Sequence, residues 1–440
     1  MLQMPQLLKL TTVLLLLFIA GAAHGQVIAP VDSLKADSLR LKAERASPAG
    51  DNTSKQFDVA DLFQAILHPR KKTDSTKRRS PVTVVPNIAA NPTIGFQLGI
   101  KAVAGKRLGN DPKTLFSVAA TSASITTKGI IYFYINHNVF TSGNKWNLQG
   151  NLVVAKTVTP DFGQGIGNAY TGTDPAQAIL ADNARKVYPI NSIYYNIREK
   201  VYKNISKNLF LGAGLSFEIR RNIKTKDTIN NATPLSVYNN KYDFPKNKYS
   251  ANGLLFNIQY ITRDNPNRPY TGIYTDAGIR INQTWLGSTK NAVQLTTDFR
   301  KYFRLSAKNP ETVLAFWNWG NYLLAGTVPY IELPGTARDG SFRSGRGYTG
   351  QYFKSTQYND TELELRFPIL KNKFLSGVVF GNLQTANDFH GTPIFDTFRK
   401  GYGAGLRVLF NKATRTNLAL DYAFGEFGNK GFFLNLNETF

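Results

Sequence analysis

From residue 81 to residue 440 apolar and polar side chains alternate with a period of two, which predicts strands with two unlike faces. In 273–282 one face carries Ile273, Ala277, Ile279 and Ile281, and the other Tyr274, Asp276, Arg280 and Asn282. In 293–305 Val293, Leu295, Phe299 and Phe303 oppose Gln294, Asp298, Arg300 and Arg304. In 361–369 Leu363, Leu365, Phe367 and Ile369 oppose Glu362, Glu364 and Arg366. A charged face repeated inside strands is costly in a packed sandwich. It is natural where that face lines a wet lumen and the opposite face meets lipid.

Counting back from residue 440 predicts strands near 431–440, 416–425, 401–411, 374–385, 358–369, 311–324, 291–305, 272–285, 249–262, 208–221, 190–203, 145–156, 128–139, 114–124, 93–104 and a short 81–90. That makes sixteen, an even number as bacterial barrels require, with both ends of the barrel in the periplasm. The turns at 307–310 and 411–415 are short, as periplasmic turns are. The long segments 157–189, 222–248, 325–357 and 384–400 all fall on the other side.

Ahead of the barrel, Lys9, an apolar run over 13–19 and the small residues Ala22, Ala23 and Gly25 read as an export signal cleaved after Gly25. The run is shorter than the roughly 20 residues of a spanning helix. Residues 26–80 are polar, contain Pro30 and Pro48, and carry a basic cluster at Lys71, Lys72, Lys77, Arg78 and Arg79; they read as a periplasmic linker. Within it, Val59, Leu62, Phe63 and Ile66 share one helical face over 58–67, which predicts a transient helix, a plug or a docking element.

Composition fits this picture. Mean hydropathy is −0.26 with 42% hydrophobic residues, which is bland because outward and inward faces average. The 21 Tyr and 29 Phe suit aromatic girdles at the two membrane interfaces. Without cysteine there is no disulfide, thiol chemistry or lipidated anchor. A formal charge of +24 suggests a polyanionic partner. An export signal turns that away from nucleic acid and toward lipopolysaccharide, anionic phospholipid or acidic cargo, unless the cations are spread over loops and lumen. His68, His137 and His390 lack metal-like spacing, no Gly-x-Ser-x-Gly elbow is present, and the lumenal carboxylates face lumenal arginines. No enzyme, metal or cofactor is expected.

Several stretches resemble the BamA/TamA outer-membrane family, the bacterial surface antigen barrels, over essentially all of 81–440. The most specific is Arg346-Gly347-Tyr348 followed by Glu362-Leu-Glu-Leu-Arg-Phe-Pro-Ile369. Supporting matches are Arg263-Asp-Asn-Pro-Asn-Arg-Pro-Tyr-Thr-Gly272, Gly165-Ile-Gly-Asn168, Gly403-Ala-Gly-Leu-Arg407, Leu420-Asp-Tyr422 and the terminal Phe440, taken as the signal of the last strand. A loop folded into a polar lumen needs an anchor that survives water. A guanidinium bonding carboxylates supplies one, Gly347 allows a sharp turn, and Tyr348 adds an aromatic face with a polar tip.

The resemblance implies that this loop is the sixth extracellular one and that its partners are a Glu on the next strand, here Glu364 beside Glu362, and an Asp on the strand after. Asn382 stands where the family has that Asp, which implies a weaker anchor with Asn382 accepting a bond from Arg346. The resemblance also implies assistance in inserting or exporting proteins, or moving lipids, through a lateral seam between first and last strands. Pro86, Phe432, Leu434 and Leu436 are the expected seam residues, because Pro86 cannot donate a ladder bond and belongs on an edge. Expected partners are outer-membrane lipids and lipopolysaccharide, protein clients and assembly-complex subunits. Family members usually carry POTRA domains before the barrel; the roughly 55 residues here are too few for one plus a linker. The alternative readings are a passive or selective channel or receptor, and a structural subunit of a larger complex.

Overall fold

Alternation at period two builds one antiparallel sheet that closes on itself, every junction but one being a continuous ladder. The structure, a computed structural model, describes residues 56–59, 61–62 and 82–440 apart from 112–113, 183–184, 226–231 and 413. The signal at 1–25, most of the linker at 26–80, the basic cluster at 71–79 and His68 lie outside the described residues. Strands β1 (Val82–Pro86) and β2 (Ala89–Asn91) both pair with β3 (Gly95–Lys106) and form one broken stave. The series continues through β4 (Ser117–Thr126), β5 (Ile131–Phe140), β6 (Trp146–Thr159), β7 (Ile190–Ser206), β8 (Leu209–Thr225), β9 (Tyr249–Ile261), β10 (Gly272–Asn282) and β11 (Ala292–Arg304). It ends with β12 (Val313–Gly326), β13 (Gln357–Pro368), β14 (Leu375–Ala386), β15 (Arg399–Asn411), β16 (Thr416–Gly425) and β17 (Lys430–Leu436). With the broken stave counted once, this is a closed antiparallel barrel of 16 strands, as the pattern predicts.

The faces separate as expected. Leu363, Phe299, Phe303 and Ile279 are exposed on the outer wall, while Glu362, Glu364 and Arg366 are buried inside. At one outer site an acid and a histidine stand together on the apolar face. His137, Gly150 and Glu199 stand side by side on β5, β6 and β7, and the imidazole Nε2 lies 3.3 Å from the Glu199 carboxylate, which leans over the side-chain-free Gly150. Charge on a lipid-facing wall costs free energy that depth determines. The double variant H137L/E199L is therefore expected to stabilise the barrel in lipid vesicles by about 1–2 kcal/mol in denaturant unfolding.

The long loops form a roof. Helix α1 (Pro175–Ala181) is capped by Asp174, whose side chain accepts from the Ala176 N–H, and α2 (Pro234–Lys241) opens with a Thr233/Ser236 capping box. Leu180, Leu235 and Tyr238 from these helices pack with Tyr249, Val328, Tyr330 and Leu333. At the opposite, short-turn end, the Phe57 N–H donates to Asn372 O at 3.0 Å and its ring meets Phe374. Asp58 caps the N–H of Asp61, and Lys412 bonds both carboxylates. The described start of the 58–67 stretch thus docks beneath the turns. Phe63 and Ile66 lie outside the described residues.

The last strand departs from expectation. It ends at Leu436, not residue 440, because Asn437 adopts a left-handed backbone (φ 70°) that a strand cannot continue through. Residues 437–440 turn into the lumen. There Phe440 stacks on Trp317 and its main-chain oxygen accepts from Arg366 Nη2 at 2.9 Å. Phe440 is a buried lumenal residue, and the reading of it as the end of a wall strand is corrected.

Candidate functional site

The loop between β12 and β13, residues 327–356, folds down inside the barrel. Its upper part is fixed by the turn Tyr330–Glu332. Glu332 pairs with Arg220 of β8 at 2.9 Å and with Arg338, and accepts from the Tyr249 hydroxyl. Burial alone would raise this carboxyl, but Arg338 and Arg220 hold it well below the usual carboxylate range. Beside it, Lys354 pairs with Asp161 at 2.6 Å, and the Tyr330 hydroxyl donates to the same oxygen. The segment at 165–168 is drawn in as Ile166 N–H and Asn168 Nδ2 bond Asp388.

Below this the Arg346-Gly347-Tyr348 tip reaches the wall. Gly347 has φ 106°, and a Cβ there would stand 2.6 Å from the Phe424 carbonyl oxygen, so only glycine allows the approach. The Tyr348 hydroxyl donates to Lys400 O at 2.6 Å and accepts from the Glu426 N–H at 2.8 Å. The Arg346 guanidinium lies over the Phe380 ring. One nitrogen bonds Asp421 at 2.6 Å, and the other bonds Glu364 at 2.5 Å and also Glu362.

The wall behind the tip is one connected ionic web. Arg407 links Asp421 to Glu438. Arg366 bonds Glu364 at 2.6 Å, and Arg268 joins Glu438 to Glu311, which also meets Lys373. Among the described residues five cations (Arg268, Arg346, Arg366, Lys373, Arg407) thus face five carboxylates (Glu311, Glu362, Glu364, Asp421, Glu438). This balance is what makes the burial of so much charge tolerable.

The expected residues therefore meet, with two differences. Asn382 does not accept from Arg346; its Nδ2 donates to the Arg346 main-chain oxygen at 2.8 Å. The charge that Asn382 lacks comes from Asp421 on β16. The sequence match 420–422 contains it but assigns it no partner, although alternation with Asn417, Ala419 and Ala423 puts Asp421 on the inner face. Arg407 entered only within the match 403–407, with no partner assigned, and Arg343 and Glu438 were missed. The other lumenal carboxylates find nearby partners: Asp276 accepts from the Tyr202 hydroxyl at 2.8 Å, and Asp298 bonds its neighbour Arg300. Among the described residues no group of His, Cys, Asp and Glu is arranged to hold a metal.

The seam lies beside this web. Across it the register between β17 and β2 is a single pair, Leu434 opposite Ala90. Continuing that register would set Glu438 opposite Pro86 and Phe440 opposite Val84, but the chain has left the wall at Asn437. Phe432, Pro86 and Val84 are exposed on the outer surface. From inside, the same loop bonds the end of β17 and the turn that follows β2. Arg343 donates to Leu436 O at 2.8 Å and to Glu438 O, and the Gly350 N–H donates to Thr93 Oγ1 at 2.6 Å.

An antiparallel membrane barrel with a loop anchored in its lumen and a nearly unpaired seam defines a class of outer-membrane barrel. Residues 114–440 match the family model described as the Omp85 superfamily domain, and the chain belongs to that superfamily. This places it in the bacterial outer membrane. Solved structures with similar folds include BamA from Haemophilus ducreyi lacking POTRA domains 1–3, at 14% identity and TM-score 0.53 over 86% of this chain and 78% of that one. CdiB from Escherichia coli aligns at 8% identity and TM-score 0.50 over 82% of this chain and 63% of that one. CdiB from Acinetobacter baumannii aligns at 12% identity and TM-score 0.49 over 82% and 61%. The chain thus spans less than two thirds of either CdiB. A search of curated proteins found no match.

Proposed function

We propose that the barrel assists insertion or export of proteins at the outer membrane, its seam opening toward lipid to offer strand edges to a client. The observation that carries this reading is the single ladder pair between β17 and β2, with loop 327–356 bonding the end of β17 and the turn after β2 from within. Unpaired N–H and C=O groups along Val82–Pro86 and the end of β17 are a template for another strand once the grip is released. Leu434, Leu436 and Phe432 would meet lipid or client there. Lipid movement through the same opening is the closely related activity. The reading includes export by residues 1–25, a periplasmic tail at 26–80, short turns in the periplasm and long loops outside. Clients or assembly subunits are its partners, and it assigns no catalytic step. A selective channel is less well supported, because the loop and residues 437–440 occupy the lumen. The test is folding of an unfolded outer-membrane client into vesicles. Vesicles carrying this protein are expected to fold the client faster than empty ones, and equal rates would remove the reading.

A further inference from the structure

The outer wall carries a groove of about 510 Å³ at the long-loop end, where β5 begins and β8 ends. Its floor is apolar: Ile131, Phe133 and Val154 are exposed side chains, with Ile193 beside them. Its rim is cationic. Lys156 sits between Ile131 and Ile193 in the register, and Lys224 lies opposite Asn191. Arg221, opposite Ile193, adds a third cation on the same face. Among the described residues no acidic side chain lines the groove.

The rim has a local cause. Between the pairs Asn191–Lys224 and Ile193–Arg221, β8 carries Asn222 and Ile223 against Ser192 alone. This bulge buries Ile223 and leaves Asn222 and Lys224 exposed. An apolar surface with Lys156 and Arg221 in its top row and Lys224 above them is complementary to one kind of molecule, an acylated amphiphile with phosphate groups on its head. Apolar burial would hold the chains, while the ammonium and guanidinium groups would hold the phosphates.

We propose that this groove binds a lipid A-type phosphoglycolipid of the outer leaflet, with its phosphates on Lys156, Arg221 and Lys224 and its acyl chains against Ile131, Phe133, Val154 and Ile193. The inference rests on the sidedness given above, long loops outward, but not on the seam mechanism. The site lies on staves β5 to β8, away from β17 and β2.

Native mass spectrometry of the full chain, released from mild detergent with added bisphosphorylated hexa-acyl lipid A, tests it. The wild type is expected to retain the lipid. K156Q/K224Q is expected to bind roughly tenfold more weakly or worse, K156R/K224R to bind like wild type, and dephosphorylated lipid A to be lost. Equal retention by wild type and K156Q/K224Q, or of the phosphorylated and dephosphorylated lipids, would overturn the proposal. The client-folding rate of K156Q/K224Q is read in parallel. Loss of lipid A binding at an unchanged folding rate separates this site from the seam reading, and neither result depends on the other.

Discussion

Arg346→Ala is expected to lower the unfolding free energy of the barrel by about 3–5 kcal/mol, the cost of removing one partner from a buried ion pair. It is also expected to free loop 327–356 for cleavage by protease added from the long-loop side. The size follows from what stays behind: Glu362, Glu364 and Asp421 remain buried around the vacated site, and only Arg366 and Arg407 are left to offset them. Arg346→Lys should recover little, since one ammonium cannot reproduce a planar fork that reaches three carboxylates. Asp421→Asn separates this account from one centred on Asn382. It should weaken the anchor clearly, whereas Asn382→Asp should also destabilise, by setting a carboxylate against the Arg346 carbonyl oxygen that the amide now serves. Denaturant unfolding and limited proteolysis in the same vesicles check both effects. An Asn382→Asp variant more stable than wild type would contradict the geometry.

The barrel was legible in the sequence because period-two alternation survives any loop length, and lumenal charge is hard to explain otherwise. The pairing of Arg346 with Glu364 was legible through the family resemblance, and alternation added only that Glu362, Glu364 and Arg366 face the lumen. Asp421 was less visible. It lies far along the chain from Arg346, and only the closed circle of staves brings β16 opposite the loop tip. Asn382 was read by residue type, and an amide presents a donor as readily as an acceptor.

The inward turn at Asn437 left a trace that went unread. Phe432, Leu434 and Leu436 face outward, so two further residues of strand would put Glu438 into lipid. A carboxylate there is costly, and the lumen offers Arg407, Arg268 and Asn417 instead. The aromatic terminal residue suggested a wall strand, while the charge two positions before it pointed inside.

Cysteines replacing Ala90 and Leu434 face each other across the one pair that joins the last strand to the first, so the double variant should form a disulfide that locks the seam. If clients enter through that opening, the locked barrel loses its effect and reductant restores it. A staple replacing Leu406 and Leu420, which are opposed within the continuous β15–β16 ladder, should change nothing. The decisive measurement is therefore the rate at which an unfolded client folds into vesicles carrying the A90C/L434C barrel, before and after reduction. The account predicts the rate of empty vesicles while oxidised and the wild-type rate once reduced. An oxidised, fully cross-linked barrel that still accelerates folding as the wild type does would contradict it.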